Sequence, residues 1–456
     1  MKMKTLKQLI ILSFFGASSS SFALDLIEAY QRAEKMDPQW QANQLKYEID
    51  QLNLGLAKGN LLPTVSLSGS LQRQNQSLPE PQQGTSSFLM SPTTTRQIAI
   101  TARQPLFRWD AWQGYKQVAT SVQLSEVNLK LQKQQHTLQV AEAYFNVLRQ
   151  QALTVAYVQE EKALSAQLKV MQAKLKEGLV ARSDVSEASA QYQNTQVNRL
   201  ATQVQLLLAQ EKLAQYIGEY REPLAVIGDD FQYQAPLPND LTAWLTLAEQ
   251  KNLAVTQARL EKVYAQDAKR VEQAAIYPQV EAIASYGHVK QTPETVMSTN
   301  GDFDQIGVEV NWNLFTGGRT QTKIKQATLQ IQQADAQLNA ALKQAKTDVK
   351  QAYLQVETDD AKLKARLVAL ASAELVARAS EAQYREGLKN MVDVLLAQRN
   401  AFSAKTDYLQ TKYDYFLHVL QLKAAVGQLT EQDIRELNAW LRPSDNAENI
   451  VMKPSS

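Results

Sequence analysis

Long stretches of the chain place apolar residues three and four positions apart. This spacing recurs from Ala141 to Val155, from Leu164 to Leu175 and from Leu338 to Val356. The positions between are mostly Gln, Lys, Glu and Ala, which favour helices. An average spacing of about 3.5 residues is typical of helices that pack as coiled coils. The pattern predicts long helices over about 110–176 and about 318–385.

Proline positions agree with two long helices. None lies between Pro105 and Pro223, and none lies between Pro293 and Pro443. Long helices require such gaps because proline has no N–H to donate and clashes with the preceding turn. A helix over 110–176 would reach roughly 100 Å, far more than a compact globular domain needs.

Each long helix is followed by a Glu-Gly-Leu sequence, at residues 177–179 and again 209 positions later at 386–388. Glycine readily ends a helix, and in both copies an aspartate six positions after the glycine stands where a new helix can begin. The pattern predicts return helices over about 184–217 and about 393–426. Two copies of one helix break indicate a duplicated chain.

Two segments ahead of the long helices alternate apolar and polar residues with a period of two. In the first, Val65 and Leu67 share a face opposite serine and threonine side chains. This alternation predicts β-hairpins over about 63–107 and about 279–315. The least regular strand is the one predicted to begin at Gln279.

Shorter elements complete each half. Helices are predicted over about 24–58 and about 241–275, ahead of the hairpins. The stretches 74–95 and 290–304 are rich in Gln, Ser, Thr, Pro and Gly and are predicted as loops within the hairpins.

The predicted organisation is a tandem repeat with flanking segments. Tyr144 and Tyr353 are corresponding landmarks of the two copies. The segments are a signal peptide over 1–23, a first repeat over 24–218, an inter-repeat segment over 219–239, a second repeat over 240–441 and a polar tail over 442–456.

The N-terminus has the pattern of a secretory signal peptide. Lys2, Lys4 and Lys7 precede a short apolar run, and Ser21-Phe22-Ala23 has the form of a cleavage site. The apolar run is far shorter than the ~20 residues of a membrane-spanning helix. Without this segment the chain has 45 basic and 46 acidic residues. A nucleic-acid partner is therefore not expected.

Residues for catalysis are sparse. The absence of cysteine excludes disulfides and thiolate chemistry. His136, His288 and His418 are far apart, and neither half has a phosphate-binding glycine-rich loop. We expect no enzyme activity, no cofactor and no metal site among side chains of one chain.

Amphipathic strands of about ten residues suit an outer-membrane β-barrel, with a sandwich core as the alternative. Two hairpins give only four strands, and open strand edges cannot remain unpaired in lipid. Two chains would give a filled barrel of eight strands, whereas three would give twelve strands and room for a pore. The predicted fold is mainly α, with a trimeric 12-stranded membrane β-barrel continuous with a long α-helical coiled-coil barrel.

The run from Glu386 to Gln398, the stretch from Ala424 to Asp433 and the duplicated plan resemble the TolC family of outer-membrane efflux channels. The resemblance covers about 24–441. It implies a homotrimer in contact with outer-membrane lipid, with a helical barrel that projects into the periplasm and an equatorial α/β region. It further implies a periplasmic adaptor and an inner-membrane transporter as partners, for multidrug efflux, type I protein secretion or both.

Asp393 resembles an aspartate whose three copies ring the periplasmic entrance of that family. Carboxylates crowded on a three-fold axis attract cations, so the resemblance implies cation selectivity and cation block there. A role as N-cap of the return helix is the alternative. The family's second aspartate ring corresponds to Leu396, which implies weaker cation selectivity.

Four further positions resemble a polar latch that holds the tip of the family's helical barrel closed. They are Tyr384, Lys389, Ser183 and Asp184. Lys389 stands where arginine is usual, so a forked contact becomes a single-point one. An ordinary solvated helix end is the alternative for each residue.

The two helix breaks resemble the tip motif that contacts the adaptor. The corresponding residues are Gly178, Leu179, Gly387 and Leu388, and a plain helix C-cap is the alternative for the glycines. As a whole-protein alternative, the chain would be a periplasmic coiled-coil adaptor or a structural protein without a pore. An adaptor would have one helical hairpin between compact β domains, whereas this chain has two hairpins in tandem.

Overall fold

The computed structural model describes residues 23–75, 93–228, 237–292 and 300–443. Nearly all of the predicted signal peptide over 1–23 lies outside the described residues. So do most of the tail predicted over 442–456 and the middle of the inter-repeat segment predicted over 219–239.

The described residues form nine helices and six strands. In chain order these are α1 (Leu26–Met36), α2 (Pro38–Gly59), β1 (Thr64–Gln74), β2 (Thr93–Phe107), α3 (Trp109–Lys176), α4 (Arg182–Ile217), β3 (Val226–Ile227), α5 (Leu241–Lys251), α6 (Leu253–Ala274), β4 (Gln279–Thr292), β5 (Gly301–Asn311), α7 (Arg319–Arg385), α8 (Met391–Ala425), α9 (Glu431–Asn438) and β6 (Leu441–Arg442).

Two antiparallel helix pairs dominate the fold. Helix α3 has 68 residues and packs along α4, and α7 has 67 residues and packs along α8. Helix α3 also packs on α8, which joins the two pairs. None of the helices in the described parts of the chain combines the length and the apolarity needed to span a membrane.

The main core lies where α3, α4 and α8 meet α1 and the short β3–β6 pair. Phe145 and Phe416 stack with ring centroids 5.4 Å apart. The buried Tyr144 hydroxyl donates to the carbonyl oxygens of Leu24 at 3.0 Å and Ala225 at 2.8 Å. These two hydrogen bonds hold the segment before α1 and the segment before β3 against the middle of α3.

The longer strands form one antiparallel sheet in the order β1-β2-β4-β5. The central pair, β2 and β4, comes from different halves of the chain. Leu67 is opposite Ile100, which is opposite Tyr286. The sheet therefore has one face that carries most of the apolar side chains and one that carries most of the polar ones.

The helices predicted over 24–58 and 241–275 are each divided in two. Pro38 cannot donate to a preceding turn, and the Asp37 carboxylate caps α2 by accepting from the Gln39 N–H at 2.8 Å. In the second half, the Asn252 side chain caps α6 by accepting from the Val255 N–H at 2.9 Å.

The second hairpin also differs from its prediction. Residues 290–292 and 301–304, expected in a loop, belong to β4 and β5. Strand β5 ends at Asn311 rather than near 315. Beyond the strand, the Trp312 indole N–H donates to the Ile276 carbonyl at 2.9 Å. This hydrogen bond holds the segment after β5 against the end of α6.

Candidate functional site at the helix turns

The turn after α3 is a Schellman motif. The Gly178 N–H donates to the Leu175 carbonyl at 3.0 Å, and the Leu179 N–H donates to the Lys174 carbonyl at 2.9 Å. Gly178 has a φ of 73°, a conformation that costs other residues about 1–2 kcal/mol. The glycine therefore ends α3 in the left-handed conformation.

The turn after α7 repeats this geometry. Gly387 has a φ of 76° and donates to the Tyr384 carbonyl at 3.0 Å, and the Leu388 N–H donates to the Gln383 carbonyl at 2.8 Å. Space is open around both glycines. Leu179 and Leu388 are 70% and 77% exposed. Both turns thus present an unpacked apolar side chain directly after a helix end.

Helix α8 is capped by Asn390. Its side-chain oxygen accepts from the Asp393 N–H at 2.9 Å. The interpretation of Asp393 as the N-cap is therefore wrong, because Asn390 satisfies the free N–H of the first turn. The Asp393 carboxylate is exposed, and it makes no hydrogen bond or ion pair with any residue in the described ranges. Leu396, one turn further on, is also exposed.

The start of α4 contains the first two latch candidates. The Asp184 carboxylate accepts from the Ala181 N–H and from the Ser183 hydroxyl, both at 3.4 Å. Asp184 thereby makes the return contact of a capping box, while Ala181 has no side-chain oxygen to complete it. Ser183 and Asp184 are brought together by this local geometry.

The other two latch candidates have separate partners within the chain. The Tyr384 hydroxyl donates to Met171 Sδ at 3.7 Å, and Lys174 Nζ lies 5.0 Å from the Tyr384 ring centroid. Lys389 Nζ donates to the Ser380 hydroxyl at 2.9 Å. Within the described chain, neither Tyr384 nor Lys389 hydrogen-bonds to the pair on α4.

A small apolar cluster lies beneath the two turns and joins α3, α4 and α8. Tyr384 packs against its edge, so the second turn is held to the first helix pair as well as to α8. The cluster consists of Leu164, Met171, Ala188, Met391, Val394 and Leu395.

Further along the same helices lies a cavity of about 410 Å³, which the sequence does not predict. Its walls come from α3, α4 and α8 and include Tyr157, Glu160 and Phe402. Burial raises the pKa of the Glu160 carboxyl, and the positive charge of Lys405 offsets part of this effect. Glu160 and Glu161 are adjacent on α3, so the sequence alone could not distinguish Glu160, which lines the cavity, from Glu161, which pairs with Arg199.

The sequence profile described as outer membrane efflux protein matches residues 29–219 and 244–428, which include the two turns, α3 and α8. The chain belongs to this family. It is therefore a protein of the Gram-negative outer membrane that functions in efflux, and it is not an enzyme. The match to both halves also decides against a periplasmic adaptor.

Individual relatives agree with the family match. Outer membrane protein TolC of Escherichia coli (strain K12) is 29% identical over an alignment of 464 residues, which covers 98% of this efflux protein and 92% of the relative. Alkaline protease secretion protein AprF of Pseudomonas aeruginosa is 26% identical over 432 residues, with 91% and 86% coverage. The crystal structure of the outer membrane protein VceC from Vibrio cholerae has the same fold, with a TM-score of 0.74, 19% identity, and coverage of 88% of this chain and 96% of that one.

Proposed function

We propose that three copies of this efflux protein form one channel, with a twelve-stranded β-barrel in the outer membrane continuous with an α-helical barrel in the periplasm. The observation that carries the proposal is the open sheet. Within the described chain, β1 pairs only with β2, and β5 pairs only with β4. Unpaired strand edges are not tolerated in lipid, so β1 of one copy has to pair with β5 of the next. Three chains of four strands close a barrel wide enough for a pore.

The two faces of the sheet support this arrangement. Leu67 and Ile306, on the same face, are 73% and 88% exposed and lack a partner layer within the described chain. On the other face, Arg103 pairs with Glu309 at 3.4 Å. Lipid outside and water inside accommodate these two surfaces, as in other membrane barrels.

The long helices supply the periplasmic part of the duct. Helices α3 and α7 begin next to the sheet and extend roughly 100 Å to the two turns. We assign the sheet and the turns to opposite ends of the tube. The same order of elements over 24–218 and 240–441 supports a tandem repeat, with the β3–β6 pair in an equatorial layer.

At the turn end, we assign Asp393 to a ring of three carboxylates around the entrance. Its exposure and its lack of a partner in the described chain support this role, because a charge that faces an axis stays solvated. Polyvalent cations would block the channel there. Leu396 on the same helix face contributes no second ring, which weakens selectivity for cations.

The latch is assigned to links between copies. Tyr384 and Lys389 make no hydrogen bond to Ser183 or Asp184 within the described chain, and we propose that links among them form across a subunit boundary. Exposed ion pairs and hydrogen bonds of this kind are worth about 0–1 kcal/mol each. A latch of a few such contacts is weak enough for a binding partner to open.

The partners are a periplasmic adaptor and, through it, an inner-membrane transporter. The exposed Leu179 and Leu388, each behind its glycine, offer apolar contacts to an adaptor at the end of the tube. Gly178 and Gly387 leave room for close backbone approach. The family description supports efflux, for which we propose drugs as cargo, and a relative named for alkaline protease secretion supports type I secretion of proteins.

Fractionation and conductance test the proposal together. We expect the protein in outer-membrane fractions as a heat-modifiable band with the mass of three chains, and discrete ion-conducting steps when it is added to planar bilayers. A monomeric band, or a trimer that never conducts, would contradict it. Loss of drug tolerance or of protein secretion in a deletion strain then identifies the cargo class.

A further inference from the structure

Two cations are direct neighbours at the end of the sheet far from the helices. Arg96 on β2 is the register partner of Lys290 on β4. Directly opposite side chains on one face of a sheet have Cβ atoms about 4.5–5.5 Å apart, and like charges there repel each other. The Arg96–Lys290 pair is therefore unfavourable unless a negatively charged group lies beside it.

These cations share the apolar face. Arg96 lies two residues from Ile98 on β2, and Lys290 lies four residues from Tyr286 on β4. Because residues an even number of positions apart on a strand share a face, Arg96 and Lys290 lie on the same face as Ile98 and Tyr286. Eleven residues separate Phe107, at the helix end of β2, from Arg96. That length is about 36 Å along a strand, or roughly 26–30 Å across a membrane at the usual barrel tilt. In the proposed barrel, Arg96 and Lys290 thus lie at the outer edge of the apolar band.

No carboxylate within the described residues neutralises the pair. In the adjacent row of the same face, Asp302 is bound by His288 Nδ1 at 2.8 Å. Arg73 on β1 adds a third exposed cation one row further out, opposite Thr94, whose own partner across the sheet is Thr292. Three cations and two hydroxyl side chains from three strands therefore meet on one patch.

We infer that Arg73, Arg96 and Lys290 form a binding site for the phosphate groups of an anionic lipid in the outer leaflet. This inference rests on the proposed barrel and its orientation. Arginine binds phosphate oxygens through two parallel N–H donors, and lysine adds a point charge. Ile98, one row below Arg96 on β2, and Leu71, directly opposite Arg96 on β1, are positioned to contact the acyl chains of the same lipid. Bound phosphate would remove the repulsion between Arg96 and Lys290 and bridge strands β1, β2 and β4.

Lipid titration of the full-length trimer tests the inference. Trimer purified in a neutral detergent is titrated with a lipid A bearing two phosphates and with the dephosphorylated form, and bound lipid is counted by native mass spectrometry. We expect the phosphorylated lipid to bind more tightly. Since each basic side chain at an anionic surface contributes roughly fivefold in affinity, Arg96→Gln with Lys290→Gln should weaken binding about 25-fold.

Two control variants separate the site from general charge effects. Lys46→Gln with Lys130→Gln removes two exposed helix charges of equal sign and should leave lipid binding unchanged. Arg96→Lys with Lys290→Arg keeps both charges and should bind within a few-fold of the unaltered trimer. If the glutamine double variant does not assemble, each single variant should lose about fivefold.

Equal binding of the two lipids, or equal losses in both double glutamine variants, would overturn the inference. So would displacement of the lipid by inorganic phosphate at matched concentration, which would indicate a site for free phosphate. A trimer that conducts but shows no preference for phosphorylated lipid contradicts this inference alone. A protein that forms no membrane trimer contradicts the proposed function.

Discussion

The side-chain oxygen of Asn390 accepts a hydrogen bond from the Asp393 backbone N–H at 2.9 Å, so the cap of α8 and the exposed carboxylate belong to different residues. Stability and ion selectivity at this turn should therefore respond to different substitutions. A single residue with both roles would not allow this separation.

Asn390→Ala should lower the stability of the turn by about 1 kcal/mol, the usual value of a lost N-cap, with ion selectivity retained. Asp393→Ala should leave stability within about 0.5 kcal/mol, as for other surface changes, and should abolish both the preference for cations and block by polyvalent cations. Thermal unfolding and planar-bilayer recordings measure the two effects. Unaltered cation preference in Asp393→Ala trimers would refute the ring assignment.

The latch assignment predicts a more open channel when its polar groups are removed. Asp184→Ala combined with Tyr384→Phe should raise single-channel conductance, because contacts across the subunit boundary are lost while each chain keeps its apolar cluster beneath the turns. Glu126→Ala, which removes a distant exposed carboxylate on α3, serves as the control and should conduct normally. Conductance equal in both variants would count against a polar latch.

The exposed leucines at the turns should matter for export but not for assembly. Leu179→Ser with Leu388→Ser removes apolar surface that no described residue covers, so trimers should form normally and adaptor-dependent export should be lost. Leu237→Ser, at another highly exposed leucine, is the matched control. Loss of trimers in the double variant, rather than loss of export, would give these leucines a structural role.

His136 should make the protein sensitive to mild acid. The ring stacks on Trp40 with centroids 5.4 Å apart, and burial lowers its pKa despite the nearby Asp37 carboxylate. A lowered pKa in the folded state means that the unfolded chain takes up the proton first. The stability that the neutral His136 ring provides is present above pH ~6.5. It is lost as the pH falls toward the folded-state pKa, by up to about 1.4 kcal/mol per pH unit.

His136→Gln should therefore flatten the loss of thermal stability between pH 7.5 and pH 5.5. Gln135→Asn, which changes an exposed neighbouring side chain that does not titrate, is the control and should keep the slope of the unaltered protein. Parallel pH profiles for all three proteins would show that His136 does not titrate in this range.

Glu160 should change the pH dependence of stability in the opposite direction to His136. Burial beside the cavity raises its pKa, so its contribution to stability is full below the unfolded pKa and is lost as the pH rises through the folded pKa. Glu160→Gln should raise the unfolding temperature at pH 7.5 and have little effect near pH 4. Glu161→Gln breaks the ion pair with Arg199 and should lower stability instead. A destabilised Glu160→Gln variant at pH 7.5 would contradict this account.

The elements with strong local signals could be predicted from the sequence. The proline-free repeats marked α3 and α7, and the two Glu-Gly-Leu sequences marked their ends because glycine alone tolerates the positive φ there without strain. No proline marks the break at Asn252, whereas Asp37-Pro38 in the first half is a recognisable cap signal in the sequence.

The candidate site was only partly predictable. Asn390 and Asp393 are both residue types that cap helices, so the sequence alone does not decide which of them caps α8. The cavity around Glu160 and the partners of Tyr384 and Lys389 depend on how α3, α4, α7 and α8 pack at long range. The spacing of residues in one helix does not contain that information. The pairing of Arg96 with Lys290 likewise depends on the sheet order, in which β2 and β4 come from different halves.

Cryo-electron microscopy of the purified protein in lipid nanodiscs tests the central claim most directly. We expect a three-fold particle with twelve strands in the bilayer, β1 of each chain paired with β5 of the next, and one continuous helical tube below them. Particles with a single chain, or with another number of strands around the barrel, would contradict the proposed channel.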